Sequence, residues 1–196
     1  MGNREDLLAG ALECLKEKGW ARTTVRDIAA AAGVNHAAIG YHFGSREALL
    51  IEAFTQAMED WGAEVERAVH AALDPDASPR QRYEAFWRQT IASHAANRQL
   101  WLASIEAAVQ AEHTPKVREL LMESMRQGRS GLAVGLLGIP PETLDNRTRT
   151  VGAVQLALMS GVLIQQMIDP ERAPSGPDIA DGVLELAAHL TDAPAP

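Results

Sequence analysis

One cysteine, Cys14, stands in 196 residues, so no disulfide can close within a single chain. It falls in a helix-like segment and reads as a buried thiol. Aromatic residues make up 5 % of the chain, and Val, Ile and Tyr do not gather in short alternating runs, so nothing signals a strand. No run of 18 apolar residues occurs, which removes the reading of a transmembrane helix. The N-terminus, MGNREDLLAG, mixes both charge signs and lacks the basic-then-apolar order of a signal peptide. A cytoplasmic location without a membrane partner is the expectation. Motifs of catalysis are missing too. There is no G-x-S-x-G, no H-E-x-x-H and no phosphate loop, and the six histidines (36, 42, 70, 94, 113 and 189) include no pair at i, i+4. No enzyme, no metal and no cofactor is therefore expected.

What the chain does have is alanine, leucine and an uneven charge. Hydrophobic residues reach 46 %, and Ala and Leu lose little on entering a helix. The net charge of −8 seems to argue against nucleic acid. Yet residues 1–50 hold six Lys/Arg and six Asp/Glu, so the acidity sits in the remainder. Charge permits DNA binding at the N-terminus without demanding it.

A helix reads from Arg4 to about Lys18, with Asn3 as N-cap, an apolar stripe of Leu7, Leu8, Ala11, Leu12 and Leu15, and Gly19 as its stop. A second starts at a capping box, Thr24 with Asp27, carries Val25, Ile28, Ala29 and Ala32 on one face, and ends at Gly33. A third, short helix covers about 36–42, with Asn35 as N-cap and Ile39 and Phe43 as anchors. Ser45 caps a long fourth helix from Arg46 to about Leu73. Helical patterns resume over Pro79 to about Ala95, Asn97 to about Ala111, Pro115 to about Leu137, Pro141 to about Ile168 and Asp178 to Leu190. They are separated by the loops DPDASP (74–79), GIPPE (138–142) and DPERAPSGP (169–177). The tail TDAPAP is expected to fray. The fold class is all-α with about nine helices.

Residues 24–46, TVRDIAAAAGVNHAAIGYHFGSR, combine a capped helix of two turns, a glycine stop, a very short connection and a second short helix. That is the layout of a helix-turn-helix, whose second helix can enter the major groove. The groove is about 12 Å wide, so the outer face of that helix must be small or polar. Asn35, His36, Ala37, Gly40 and Tyr41 supply such a face, while Ile39 and Phe43 hold the core side.

The stretch TTVRDIAAAAGVNHAAIGYHFGSREALL resembles the DNA-binding segment of the TetR family of bacterial repressors, with a close match over about residues 4–52. The resemblance implies an N-terminal three-helix helix-turn-helix domain, residues 1–45, and a larger helical ligand-binding and dimerisation domain, residues 46–196. It implies phosphate contacts from Thr24, Arg26, His42 and Arg46, and base- or backbone-facing positions at Asn35, His36, Ala37 and Tyr41. One departure is visible. The family commonly has a tyrosine directly after the apolar anchor, where this chain has Gly40, and Tyr41 lies about 100° further round the helix.

The implied partners are double-stranded operator DNA, a second copy of the chain and a small-molecule effector of unidentified structure. In the penultimate helix Ala153, Ala157 and Gly161 recur at i, i+4 and i+8 beside Val154, Leu158 and Val162, a pattern that permits close helix approach in a homodimer. For the effector, the middle helices offer Trp87, His94, Trp101, Glu106, Met125, Gln155 and Met159 as candidates, mostly apolar walls with a few polar groups. The expected function is transcriptional regulation, as a repressor released from a near-palindromic operator by a ligand. The alternatives are an activator without an inducer, and a helical dimeric interaction protein with no sequence-specific DNA affinity.

Overall fold

The computed structural model describes residues 2–74, 76–94 and 96–192. Among them every regular element is helical: α1 (Gly2–Lys18), α2 (Val25–Ala32), α3 (Ala37–Phe43), α4 (Arg46–Ala72), α5 (Pro79–His94), α6 (Arg98–His113), α7 (Pro115–Leu137), a 3₁₀ turn (Pro141–Thr143), α8 (Asn146–Ile168) and α9 (Gly176–Asp192). The all-α expectation holds.

The N-terminal helices start and stop for local reasons. The Thr24 side chain accepts the Asp27 N–H, and the Asp27 carboxylate accepts the Thr24 N–H at 2.8 Å, which closes the capping box of α2. Gly33 ends α2 at φ 65°, a left-handed conformation that only glycine adopts without penalty. Asn35 Oδ1 accepts the Ala37 N–H at 2.9 Å and Ser45 Oγ accepts the Ala48 N–H at 3.0 Å, which starts α3 and α4. Several boundaries differ from expectation, among them the start of α9 at Gly176 in place of Asp178. α1 begins at Gly2, so Asn3 lies inside its first turn and caps nothing. His36 adopts helical backbone angles but precedes α3 as its cap residue, without a side-chain hydrogen bond. α8 begins at Asn146 rather than near Pro141, because Asp145 and Thr148 form a second capping box. Thr191 and Asp192 continue α9 rather than fraying, while the rest of that tail, residues 193–196, and Ala95 lie outside the described residues.

Two hydrophobic clusters hold the helices together. The first joins Leu7, Leu15, Trp20, Ile28, Ile39, Leu49 and Leu50 to Leu100, Ala103, Ala107 and Val117. It therefore runs from the three N-terminal helices across residue 46 into α4, α6 and α7. Cys14 is buried in it, as expected, and desolvation raises its thiol pKa. The second cluster contains Trp61, Val65, Trp87, Trp101, Met159, Val162, Leu163 and Ile179, from α4, α5, α6, α8 and α9. α7 and α8 approach closely at Gly152, where a Cβ would run into the Arg129 carbonyl oxygen and lie 3.1 Å from the Ala133 Cβ. α8 is long and apolar enough to cross a membrane by length and composition alone. In this fold it buries Gln155, Met159, Val162 and Leu163 and turns Val151, Val154, Ile164 and Ile168 outward.

Candidate functional site

The first site is the outer face of α3. Ile39 is 2 % exposed and anchors the helix on the first cluster, with Phe43 packed partly against it. The opposite face is open: Asn35, His36, Ala37 and Gly40 are exposed, and Tyr41 is 87 % exposed, its ring edge-on to His42 at 4.9 Å. A Cβ at Gly40 would meet nothing within 4 Å, so this face is smooth as well as uncovered. Thr24 and Arg26, at the start of α2, are also exposed, and His42 is half-buried.

Three acids of α2 and the first half of α4 are paired with cations. Asp27 bonds Lys18 Nζ at 2.5 Å and the Thr24 hydroxyl at 2.6 Å. The Lys18 bond first, then the Thr24 bonds, hold its carboxyl far below the usual carboxylate range, and the same bond raises Lys18. Glu47 pairs with Arg46 at 2.8 Å, and Glu52 with Arg4.

Arg46, expected as a phosphate contact, is bonded within the chain through three of its five N–H donors. Its Nε donates to the Thr23 carbonyl and its Nη2 to the Trp20 carbonyl, both at 2.5 Å. Nη1 meets Glu47. The guanidinium therefore clamps the start of α4 onto the turn between α1 and α2. Glu106 holds the same turn from the other side. Expected among the effector residues, it instead accepts the Ala21 N–H at 3.0 Å, and its carboxylate sits 3.2 Å from where a Gly19 Cβ would be. Any side chain at Gly19 would crowd it. Nothing in the sequence signals this contact, since Glu106 and Ala21 are 85 residues apart.

The second site is the interior of the second cluster. Trp87, Trp101 and Met159 pack together there. Gln155, 4 % exposed, joins them through a 2.9 Å hydrogen bond from the Tyr83 hydroxyl to its Oε1. His94 is 6 % exposed on the same α5 face as Trp87; burial, then the charge of Arg98, push its pKa down, so it is neutral at pH 7. Met125 is not part of this group: it is exposed on α7. Five of the seven expected effector residues thus share one interior, and Glu106 and Met125 do not. Thr90 is fully buried one turn from Trp87 on the same face of α5, and it has no signal in the sequence, because a threonine inside a helix marks nothing. Among the described residues no group of His, Cys, Asp and Glu could hold a metal ion.

Comparison with known proteins bears on both sites. Residues 7–53 match the family described as bacterial regulatory proteins, tetR family. The HTH-type transcriptional regulator BetI of Rhizobium meliloti (strain 1021) is 31 % identical over 165 residues, covering 84 % of this chain and 78 % of that protein. A crystal structure from Rhodococcus sp. RHA1, described as a transcriptional regulator, superposes with a TM-score of 0.68 at 20 % identity over 92 % of each chain. Another, a regulator from Saccharomonospora viridis in complex with choline, gives 0.61 at 20 % identity over 95 % of each. At these identities the two structures establish the shared fold.

Proposed function

The chain belongs to the TetR family of bacterial transcriptional regulators, and from that premise we propose that it is a homodimeric repressor whose operator grip is released by a small molecule. The observation that carries the reading is the outer face of α3, with Tyr41 87 % exposed opposite a buried Ile39. A helix anchored on one side and bare on the other is shaped for a groove. On this reading Asn35, His36, Ala37, Gly40 and Tyr41 meet base edges and nearby backbone. Thr24, Arg26 and His42 meet phosphates, and the N-terminus of α2 adds its partial positive charge. Arg46 acts indirectly, by fixing the turn that carries Thr24.

Dimerisation is assigned to α8 and α9. Val154, Ala157, Leu158, Gly161 and Val162 line a shallow apolar groove of about 350 Å³, and Ile164, Ile168, Leu186 and Leu190 are exposed beside it or on α9. Pairing two copies there covers this surface and forms a four-helix interface. The division into a DNA-binding unit, residues 1–45, and a regulatory unit, residues 46–196, follows the start of α4.

The effector is placed in the interior of the second cluster, among Trp87, His94, Trp101, Gln155 and Met159. The choline complex of the Saccharomonospora viridis regulator supports a small-molecule site in a fold of this kind. Signal reaches the DNA-binding helices through the two clamps on residues 19–24. A ligand that displaces α5, α6 or α8 moves α4 and α6, hence Arg46 and Glu106, and with them α2 and α3. The test is a hydroxyl-radical footprint on the region upstream of the protein's own gene. Two protected half-sites about 34–36 Å apart are expected. One continuous, sequence-independent footprint rejects the reading.

A further inference from the structure

Buried polar atoms without partners are few in folded proteins, and each calls for an explanation. Among the described residues, five such side-chain atoms sit in the regulatory half: Trp87 Nε1, Thr90 Oγ1, His94 Nε2, Trp101 Nε1 and Gln155 Nε2. The one other, Trp20 Nε1, stands in the first cluster. All five belong to residues that are less than a tenth exposed.

They are also neighbours. Trp87, Thr90 and His94 recur at i, i+3 and i+7, so they share one face of α5. Gln155 is bonded to Tyr83, one turn before Trp87. Trp101 packs edge-on against Trp61 at 5.1 Å, and the Trp61 Nε1–H donates to Ser93 Oγ at 2.8 Å, beside His94. Trp61 shows that this cluster can satisfy an indole where the fold requires it. Elsewhere in the chain, the buried Thr23 hydroxyl is bonded to the Cys14 and Gly19 carbonyls. Five of the six unpartnered atoms among the described residues thus fall on this side of the molecule.

Its chemistry is one-sided. An indole N–H donates only, and Gln155 has already used its carbonyl oxygen to accept from Tyr83, which leaves its amide N–H groups. Thr90 and neutral His94 can donate or accept. Among the described residues no carboxylate and no Lys or Arg is buried beside them; Arg98 acts on His94 from an exposed position. A cation there would face the positive ends of N–H dipoles with no buried anion to balance it, and an anion would have no buried cation to pair with.

We propose that the effector is an uncharged molecule with an apolar frame and two or more acceptor oxygens, of the carbonyl or ketone type, bound by the N–H groups of Trp87, Trp101 and Gln155. This rests on the effector site being the second cluster. It also separates this chain from the choline-bound neighbour, since choline is a cation with a single hydroxyl.

The test uses the full-length protein labelled with ¹⁵N at its indoles, with signals assigned by Trp→Phe variants. Three probes are titrated: 1,4-diacetylbenzene (uncharged, two ketone acceptors), benzoate (anion) and choline (cation). 1,4-Diacetylbenzene is expected to shift the Trp87 and Trp101 Nε1–H signals and to leave Trp61 in place, with choline silent. Selective shifts from choline or benzoate, with 1,4-diacetylbenzene silent, overturn the ligand class but leave the site standing. A second measurement needs no ligand. Thr90→Val removes an unpartnered hydroxyl at constant shape and is expected to raise the melting temperature of the ligand-free protein. If it lowers the melting temperature and no probe moves either indole, the five atoms are satisfied within the fold, and the site itself is refuted.

Discussion

Asp27 serves two structures at once: it closes the capping box of α2 and binds Lys18 at the end of α1. The first role is legible in the sequence, because Thr24 and Asp27 stand three residues apart at a helix start. The second is not, because it depends on how α1 and α2 cross. The pair makes stability pH-dependent with a defined sign. The carboxyl is depressed in the folded protein from an ordinary value of 3.8, so its contribution is full above that value and is lost as pH falls through the lower, folded-state pKa. Lys18 is raised from 10.5, so its share is full below that value and lost above it. Asp27→Asn is therefore expected to lower the melting temperature at neutral pH, with the gap to the unaltered protein closing as pH is taken from about 7 to about 2. A gap that stays constant over that range contradicts the ion pair. Tyr41 shows the converse limit of reading residues. The sequence places it on the outer face of the short helix, but only the fold shows that nothing covers it.

The element on which the account turns is the connection between α1 and α2, residues 19–24. α4 holds it through Arg46 and α6 through Glu106. Helical periodicity gave the existence of the nine helices among the described residues and many of their ends, since most of those ends are marked by Ser, Thr, Asp, Gly or Pro. It did not give partners. Glu106 lies between Ile105 and the run Ala107-Ala108-Val109, which reads as a wall of the effector site. α6 in fact buries Ala103 and Ala107 in the first cluster and lays Glu106 against the turn. The family resemblance implies a phosphate contact for Arg46, and the fold adds a structural use: the carbonyls of Trp20 and Thr23 take two of its five N–H donors. Glu106→Ala is expected to speed hydrogen exchange at the Ala21 amide by about three- to tenfold, the loss of one modest hydrogen bond. Glu106→Gln, whose amide oxygen can still accept, should restore protection. Unchanged exchange in the alanine variant would mean that α6 does not hold this turn.

At the scale of the molecule, the chain has two interiors with different characters. The first is apolar, with its buried Thr23 hydroxyl satisfied and, among the described residues, a single unpartnered polar side-chain atom, Trp20 Nε1; it runs through the DNA-binding helices into α4 and α6. The second combines three tryptophans with polar groups that the protein leaves unpaired. That difference was invisible in composition, because both halves are rich in alanine and leucine, and satisfaction of a polar group is decided by tertiary neighbours. On the proposed function, the first interior supports the part that presents α3, and the second belongs to the part that admits the effector. The central claim is that α3 reads DNA sequence with its bare face, and fluorescence anisotropy tests it most directly. The unaltered protein and Tyr41→Ala are each titrated, at ~150 mM salt, onto the region upstream of the protein's own gene and onto a scrambled duplex of equal length. The account predicts a preference of at least ~1,000-fold for the upstream region, cut by about tenfold or more in Tyr41→Ala, with binding to the scrambled duplex little changed. Equal binding to the two duplexes, or a preference that survives the loss of Tyr41 intact, would contradict it.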